Sequence, residues 1–189
     1  MKIVFATGNP HKLEEINEIS KGSGIEFILP PDDFNPVEDG KTFEENSYKK
    51  AKEANRVSGM MSLADDSGLC VEALNGAPGL YSARYAGTQQ EKIDKILNEL
   101  RFRKNRSAKF VCVMTLLDEK GEVLHVSKGE CHGSIALSQS GKNGFGYDPV
   151  FIVGEGNLTM ADLSEEDKNA VSHRGRALTD MLNFIKTIN

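Results

Sequence analysis

The sequence predicts a mixed-sheet α/β protein in two lobes around a central cleft, and three observations carry that prediction. From Lys2 to Asp66, apolar runs of strand length alternate with amphipathic helical stretches, as in α/β proteins. An antiparallel set follows, from Ala108 through an Asp118-Glu119-Lys120-Gly121 turn and on to Leu137. A closing helix carries Leu178, Met181, Leu182, Ile185 and Ile188 along one face. At 189 residues, the chain is read as a single domain over 1–189 with a substantial core.

The formal net charge of −5 lacks the basic surplus of a general nucleic-acid coat, so no nucleic-acid partner is expected. The apolar start Met1-Lys2-Ile3-Val4-Phe5-Ala6 is too short for a signal peptide or a membrane span, which predicts a cytoplasmic protein without a membrane partner. Cys70, Cys112 and Cys131 are odd in number and lack CxxC spacing. Each therefore reads as a small buried hydrophobe rather than part of a disulfide framework or zinc site.

Taken in order, Lys2–Ala6 is a buried strand, Thr7-Gly8 a turn, and Asn9-Pro10 a helix cap followed by proline at the first helical position. The helix carries Leu13, Ile16 and Ile19 on one face. Strand, turn and helix N-terminus in that order make an anion site. Lys12 opposes the dipole of the first turn, a conflict a phosphate would resolve; the plainer reading is a capped helix with a solvated lysine. A second strand, Ile25–Leu29, leads through an acidic loop to a helix over 42–57. There Thr42 and Glu45 fit a capping box. Lys49 and Lys50, one turn on from Glu45 and Asn46, form either a surface ion-pair ladder or a metal-plus-phosphate wall.

Met60, Met61 and Leu63 lead a short strand into Asp65-Asp66, and Ser67-Gly68 is expected to break it, leaving both acids at its C-terminal end. Ligand crevices form at that end of α/β sheets. Strand side chains alternate faces, so one aspartate looks into a given cleft; Asp66 is the choice, with Asp65 as support. The bland reading is a pair of turn-capping aspartates. Gln90–Arg101 is a helix with Ile93, Ile96, Leu97 and Leu100 inward. His125 and His132 fall in the antiparallel set without metal-ligand spacing.

The loop from Ser140 to Pro149 presents Phe145 and Tyr147 among glycines, suited to stacking on a nucleobase, though glycine-rich turns are common. Lys168, His173 and Arg174 gather cations near a helix start, where an anion or a purine keto oxygen would meet them. A solvated patch countered by Glu165, Glu166 and Asp167 is the alternative.

Four segments in this order then agree with one family. They are Thr7-Gly8-Asn9-Pro10-His11-Lys12; Thr42-Phe43-Glu44-Glu45-Asn46-Ser47 with Lys50-Ala51; Ala64-Asp65-Asp66-Ser67-Gly68-Leu69 with Gly79 to Tyr85; and Gly144-Phe145-Gly146-Tyr147-Asp148-Pro149 with Lys168-Asn169 and Ser172-His173-Arg174. The chain resembles the inosine triphosphate pyrophosphatase family, also called Ham1-like, over residues 7 to 176. The resemblance implies an ITPase-like fold, a homodimer, and Mg2+-dependent hydrolysis of ITP, dITP or XTP to the monophosphate and pyrophosphate. It also implies that Glu45 and Asp66 bind the metal, with Asp66 the base that prepares the attacking water. Substrate contacts by the same resemblance are Thr7, Gly8, Asn9, Pro10, His11, Lys12, Lys50 and Ser67, with Phe145, Gly146, Tyr147, Asp148, Lys168, His173 and Arg174 around the base. His11 replaces a common glycine, and Asp162 stands where glutamate is frequent. Competing readings are a Maf-like pyrophosphatase acting on modified pyrimidines, a purine triphosphate sensor without turnover, and a nucleic-acid-binding protein disfavoured by charge.

Overall fold

The computed structural model describes residues 1–188. Strands β1 (Lys2–Phe5) and β2 (Glu26–Ile28) pair in parallel, as do β1 and β3 (Ser62–Val71), with Lys2 opposite Glu26 and Phe5 opposite Leu63. The turn at Asp118–Gly121 joins β4 (Ser107–Leu117) to β5 (Val123–Ile135), and β5 pairs antiparallel with β6 (Phe151–Val153). The six form one mixed sheet in the order β2-β1-β3-β4-β5-β6. The main helices are α1 (Pro10–Ile19), α2 (Phe43–Ser58), α3 (Gln89–Glu99), α4 (Glu165–Val171) and α5 (His173–Thr187). Among the described residues, no helix is long and apolar enough to cross a membrane.

The chain divides into two compact units. The first comprises Met1–Asp66, Cys112–Gly129 and the chain from Arg174. Its core gathers Ile3 and Phe5 of β1, Ile16 of α1, Leu63 of β3, Met114 of β4 and Leu178 and Met181 of α5. Each such buried side chain contributes about 1.5–3 kcal/mol relative to exposure. Asn9 caps α1, its side chain accepting from the His11 N–H at 3.0 Å. Thr42 caps α2, accepting from the Glu45 N–H at 3.1 Å, and Gly59 ends it in the left-handed region at φ 66°. Within α5, Ile185 is buried, but Ile188, predicted on the inner face, is exposed where the helix runs out.

The second unit comprises Ser67–Val111 and Glu130–His173. Leu69, Val71, Ile93, Ile96, Leu100, Phe110 and Phe151 form its core. Thr88 and Glu91 form a full capping box on α3. Arg106 donates to the carbonyls of Leu100, Ile135 and Ala136. Of the cysteines, Cys112 and Cys131 are buried as expected, and Cys70 is only half-buried.

The expected break at Ser67-Gly68 does not occur: β3 continues to Val71, so the aspartates lie mid-strand. Glycine here serves close packing rather than a turn, because a Cβ on Gly68 would collide with the Gly79 carbonyl and approach Ser82 Oγ to 2.8 Å. That Oγ also accepts from the Leu69 N–H at 2.9 Å. The antiparallel return likewise runs unbroken from Val123 to Ile135.

Candidate active site

Alternation along β3 gives its two aspartates different surroundings. Asp65 is 0% exposed. Both its oxygens accept from Lys12 Nζ at 3.0 Å, and Oδ2 also accepts from Arg174 Nε and Nη2 at 3.3 Å. Its main-chain carbonyl takes Lys50 Nζ at 2.7 Å. Burial alone would raise the Asp65 pKa, but Lys12, Arg174 and Lys50 outweigh it and hold the carboxyl far below its ordinary range. Arg174, 2% exposed, also pairs with Glu15 of α1. Burial favours loss of its proton, and Glu15 and Asp65 more than reverse that. Lys12 is shifted down by burial, with Asp65 opposing.

Asp66 is different. Burial pushes its carboxyl up to about 6, against the pull of Lys50 and a hydrogen bond from the Asn46 side chain, with Asp65 adding a push upward. Its Oδ2 is buried and makes no hydrogen bond among the described residues. A buried carboxylate oxygen without a partner is costly unless something positive or protic meets it.

The strand-to-helix turn before α1 is built as the sequence predicts. Buried Thr7 accepts from the Asn9 N–H through Oγ1 at 3.0 Å, and Pro10 stands at the first helical position. Gly8 and His11 are exposed, with His11 Nδ1 lying 3.7 Å from Glu14. Lys12 is largely buried rather than solvated, and Asp65 offsets its charge at the wrong end of the dipole. The two α2 lysines separate. Lys49 pairs with Asp39 at the surface, whereas Lys50 is buried, with Glu38 Oε2 at 4.0 Å. Glu45 is exposed, and its Oε2 accepts from the Lys41 N–H at 2.7 Å, a capping role. Among the described residues, no group of three or more His, Cys, Asp and Glu side chains is arranged to hold a metal.

In the second unit, Asp148 organises the glycine-rich loop. Its Oδ2 accepts from the Phe145 N–H and from Lys168 Nζ, both at 2.9 Å. Lys168 Nζ lies 4.7 Å from the Phe145 ring centroid, a cation–π contact that holds lysine and ring together. Gly146 donates to Gln89 Oε1 at 3.0 Å, and buried Tyr147 donates from its hydroxyl to the Ser82 carbonyl at 2.8 Å. His173 stacks on Phe110 with centroids 4.7 Å apart. Ser67, on β3, is half-buried.

The cationic trio is therefore no solvated patch. All three residues are buried; Lys168 pairs with Asp148, His173 stacks on a ring, and Arg174 joins the acids of the first unit. Sequence reasoning did not single out Glu15 or the Asn46 contact to Asp66. A signal for Glu15 was available: it stands three residues after Lys12, on the same helical face. For Asn46 the signal was weaker, an amide in a helix's first turn beside a glutamate.

Chemically, the first unit offers three cations and a carboxylate poised near neutrality, a set suited to phosphate chemistry. The second offers a ring, an ammonium and glycine backbone, suited to a heterocycle. A protein-family model for the Ham1 family matches residues 3–184. A dITP/XTP pyrophosphatase from Desulfotalea psychrophila is 48% identical over 186 residues, covering 95% of this chain and 82% of that protein. A HAM1 protein structure from Coxiella burnetii aligns with a TM-score of 0.89 at 41% identity over 99% of each chain. The Staphylococcus aureus Ham1 protein aligns with a TM-score of 0.89 at 40% identity over 100% of each chain. Matched in sequence and fold along nearly its whole length, the chain belongs to the Ham1 family.

Proposed function

We propose that this chain hydrolyses deaminated purine nucleoside triphosphates (ITP, dITP and XTP) to the monophosphate and pyrophosphate. Relatives named dITP/XTP pyrophosphatase support the reading. The single observation that carries it is Asp66, a buried carboxyl raised to about 6 beside Lys50, with one oxygen lacking a hydrogen bond among the described residues. A carboxylate of that strength is ionised near neutral pH and can act as general base as a water attacks.

In this reading Lys12, Lys50 and the Thr7–Lys12 turn hold the triphosphate, and Asp66 takes the proton of the water that breaks the anhydride. Phe145 stacks on the base, while Lys168 and the backbone around Gly146 and Asp148 present donors to it, with Tyr147, His173 and Ser67 completing the contacts. Arg174 adds a further donor for the keto oxygen. A donor facing that oxygen is left unpaired or clashing when an amino group replaces it, which discriminates strongly.

Mg2+ fits the first unit's donors. Asp66 offers a hard oxygen without a hydrogen bond among the described residues, and Asn46 ties the first turn of α2, which carries Glu45, to that carboxyl. Asp66 and Glu45 would hold the ion with waters completing its shell. The ion would neutralise phosphate charge. A homodimer in the cytoplasm belongs to the same reading; three free cysteines suit a reducing compartment. The test is product release with Mg2+ across ITP, dITP, XTP, ATP, GTP, dUTP and TTP. Pyrophosphate from the deaminated purines with little from ATP or GTP is the expected result; orthophosphate, or a pyrimidine preference, would overturn the reading.

A further inference from the structure

One carboxylate in the first unit holds three cations. Asp65 binds Lys12 through both oxygens, Arg174 through two N–H groups on Oδ2, and Lys50 through its main-chain carbonyl. Asp65, Lys50 and Arg174 are all buried, and the Lys12 side chain is largely so. Long lysine and arginine side chains lose rotamer freedom when fixed. Here the protein's own carboxylate and carbonyl fix all three. From this geometry we infer that Asp65 is a positioning residue for the nucleotide, fixing Lys12 and Arg174 together, and is not a ligand to the metal.

Each Asp65 oxygen already accepts an N–H from a cation, so a metal there would have to displace Lys12 and Arg174 and then sit beside them. Asp66, one residue on and on the other face of β3, has an oxygen without a hydrogen bond among the described residues. The doublet thus divides its labour: Asp65 aligns cations, and Asp66 meets what is being bound or broken. Because one carboxylate fixes both a phosphate-contacting lysine and the buried arginine, disturbing it affects both at once. Glu15 of α1 pairs with Arg174 as well.

The inference rests on the triphosphate role proposed for Lys12, and its test separates the two. Inorganic tripolyphosphate binding is measured by calorimetry for wild type, Asp65→Asn, Asp65→Glu, Lys12→Ala and the Lys12→Ala/Asp65→Asn double variant. Asp65→Asn is expected to bind at least tenfold more weakly. The double variant should bind within about twofold to threefold of the weaker single variant, since both substitutions remove one coupled unit. The Mg2+ concentration for half-maximal activation should be unchanged in Asp65→Asn. If that variant does not fold, Asp65→Glu keeps the charge but displaces Lys12 and Arg174, and should weaken tripolyphosphate binding severalfold. Multiplicative losses in the double variant would reduce Asp65 to a structural residue. Tighter tripolyphosphate binding would show that it competes with phosphate for Lys12, and a shifted Mg2+ requirement would make it a metal ligand; each overturns the inference. Absence of pyrophosphate release from dITP by the wild type would instead overturn the activity, leaving the binding cycle interpretable.

Discussion

The two candidate regions handle charge in opposite ways. In the first unit Glu15, Lys50, Asp65 and Arg174 are buried with the half-buried Lys12 beside them; Lys12 and Arg174 pair with Asp65, Arg174 also with Glu15, and Lys50 donates to the Asp65 carbonyl. In the second, the buried ion pair of Lys168 with Asp148 lies against the ring of Phe145 in a loop shaped by glycine. A phosphate is a diffuse anion that many donors satisfy, so a dense cluster of cations suits it. A base is distinguished by one exocyclic group, which calls for a ring face and a few directed donors. The contrast predicts that substitutions at Lys12, Lys50 and Asp66 of the first unit damage turnover or phosphate affinity, and substitutions in the glycine-rich loop and at Lys168 of the second damage selectivity.

Asp66→Asn gives the largest effect, a loss of about 10²–10⁴ in kcat with nucleotide binding retained. Rates near wild type would remove Asp66 from the chemistry. Stability should move the other way. Folding raises the Asp66 pKa from its ordinary value to about 6. Its favourable contribution is therefore complete below the unfolded pKa of about 3.9 and lost as pH rises through about 6. Above that pH the buried charge costs on the order of 2–3 kcal/mol. The asparagine variant should accordingly melt higher than wild type at pH 8 and converge with it near pH 4. A thermal scan at the two values checks this. For the same reason, wild-type activity should fall as pH drops through about 6, and Mg2+, by favouring the carboxylate, should move that limb downward.

Lys168→Ala comes next. It removes the ammonium from Phe145 and strips Asp148 of its buried partner, and preference for ITP over GTP should fall about tenfold to a hundredfold. Unchanged preference would break the comparison at its second term. Glu45→Gln sharpens the first. Glutamine keeps an oxygen for the Lys41 N–H, so stability should stay within about 0.5 kcal/mol, while the Mg2+ requirement should rise about tenfold. If the requirement does not move, Glu45 is a helix cap alone.

Legibility differed between the regions for a physical reason. The α1 cap at Asn9, the α2 cap at Thr42 and the apolar face of α3 are local patterns, and each appears where the sequence places it. The run of β3 through Ser67-Gly68 was not legible, because glycine there answers a carbonyl eleven residues away rather than a local turn. The Asp65–Arg174 and Glu15–Arg174 contacts span 109 and 159 residues. Pairing over such distances leaves no periodic trace. The cations could be read as a group seeking an anion, but the anions they find in this structure are the protein's own.

Gly144→Ala has the smallest expected effect and isolates the loop from the charge it carries. Gly144 sits at φ 72°, where a side chain is strained, and a Cβ would collide with the Asp148 oxygen that accepts from Phe145 and Lys168. Alanine should cost about 1–2 kcal/mol of stability through the left-handed backbone. It should also push Asp148 off its partners, loosening Phe145 without removing any charge. Base preference should then drop severalfold while tripolyphosphate binding, which depends on Lys12 and Lys50, stays at the wild-type value. Calorimetry with tripolyphosphate beside competition kinetics with ITP and GTP reads both. Equal losses in the two would mean that the regions do not act separately, because the alanine introduces no charge through which a loop in the second unit could weaken a phosphate contact in the first.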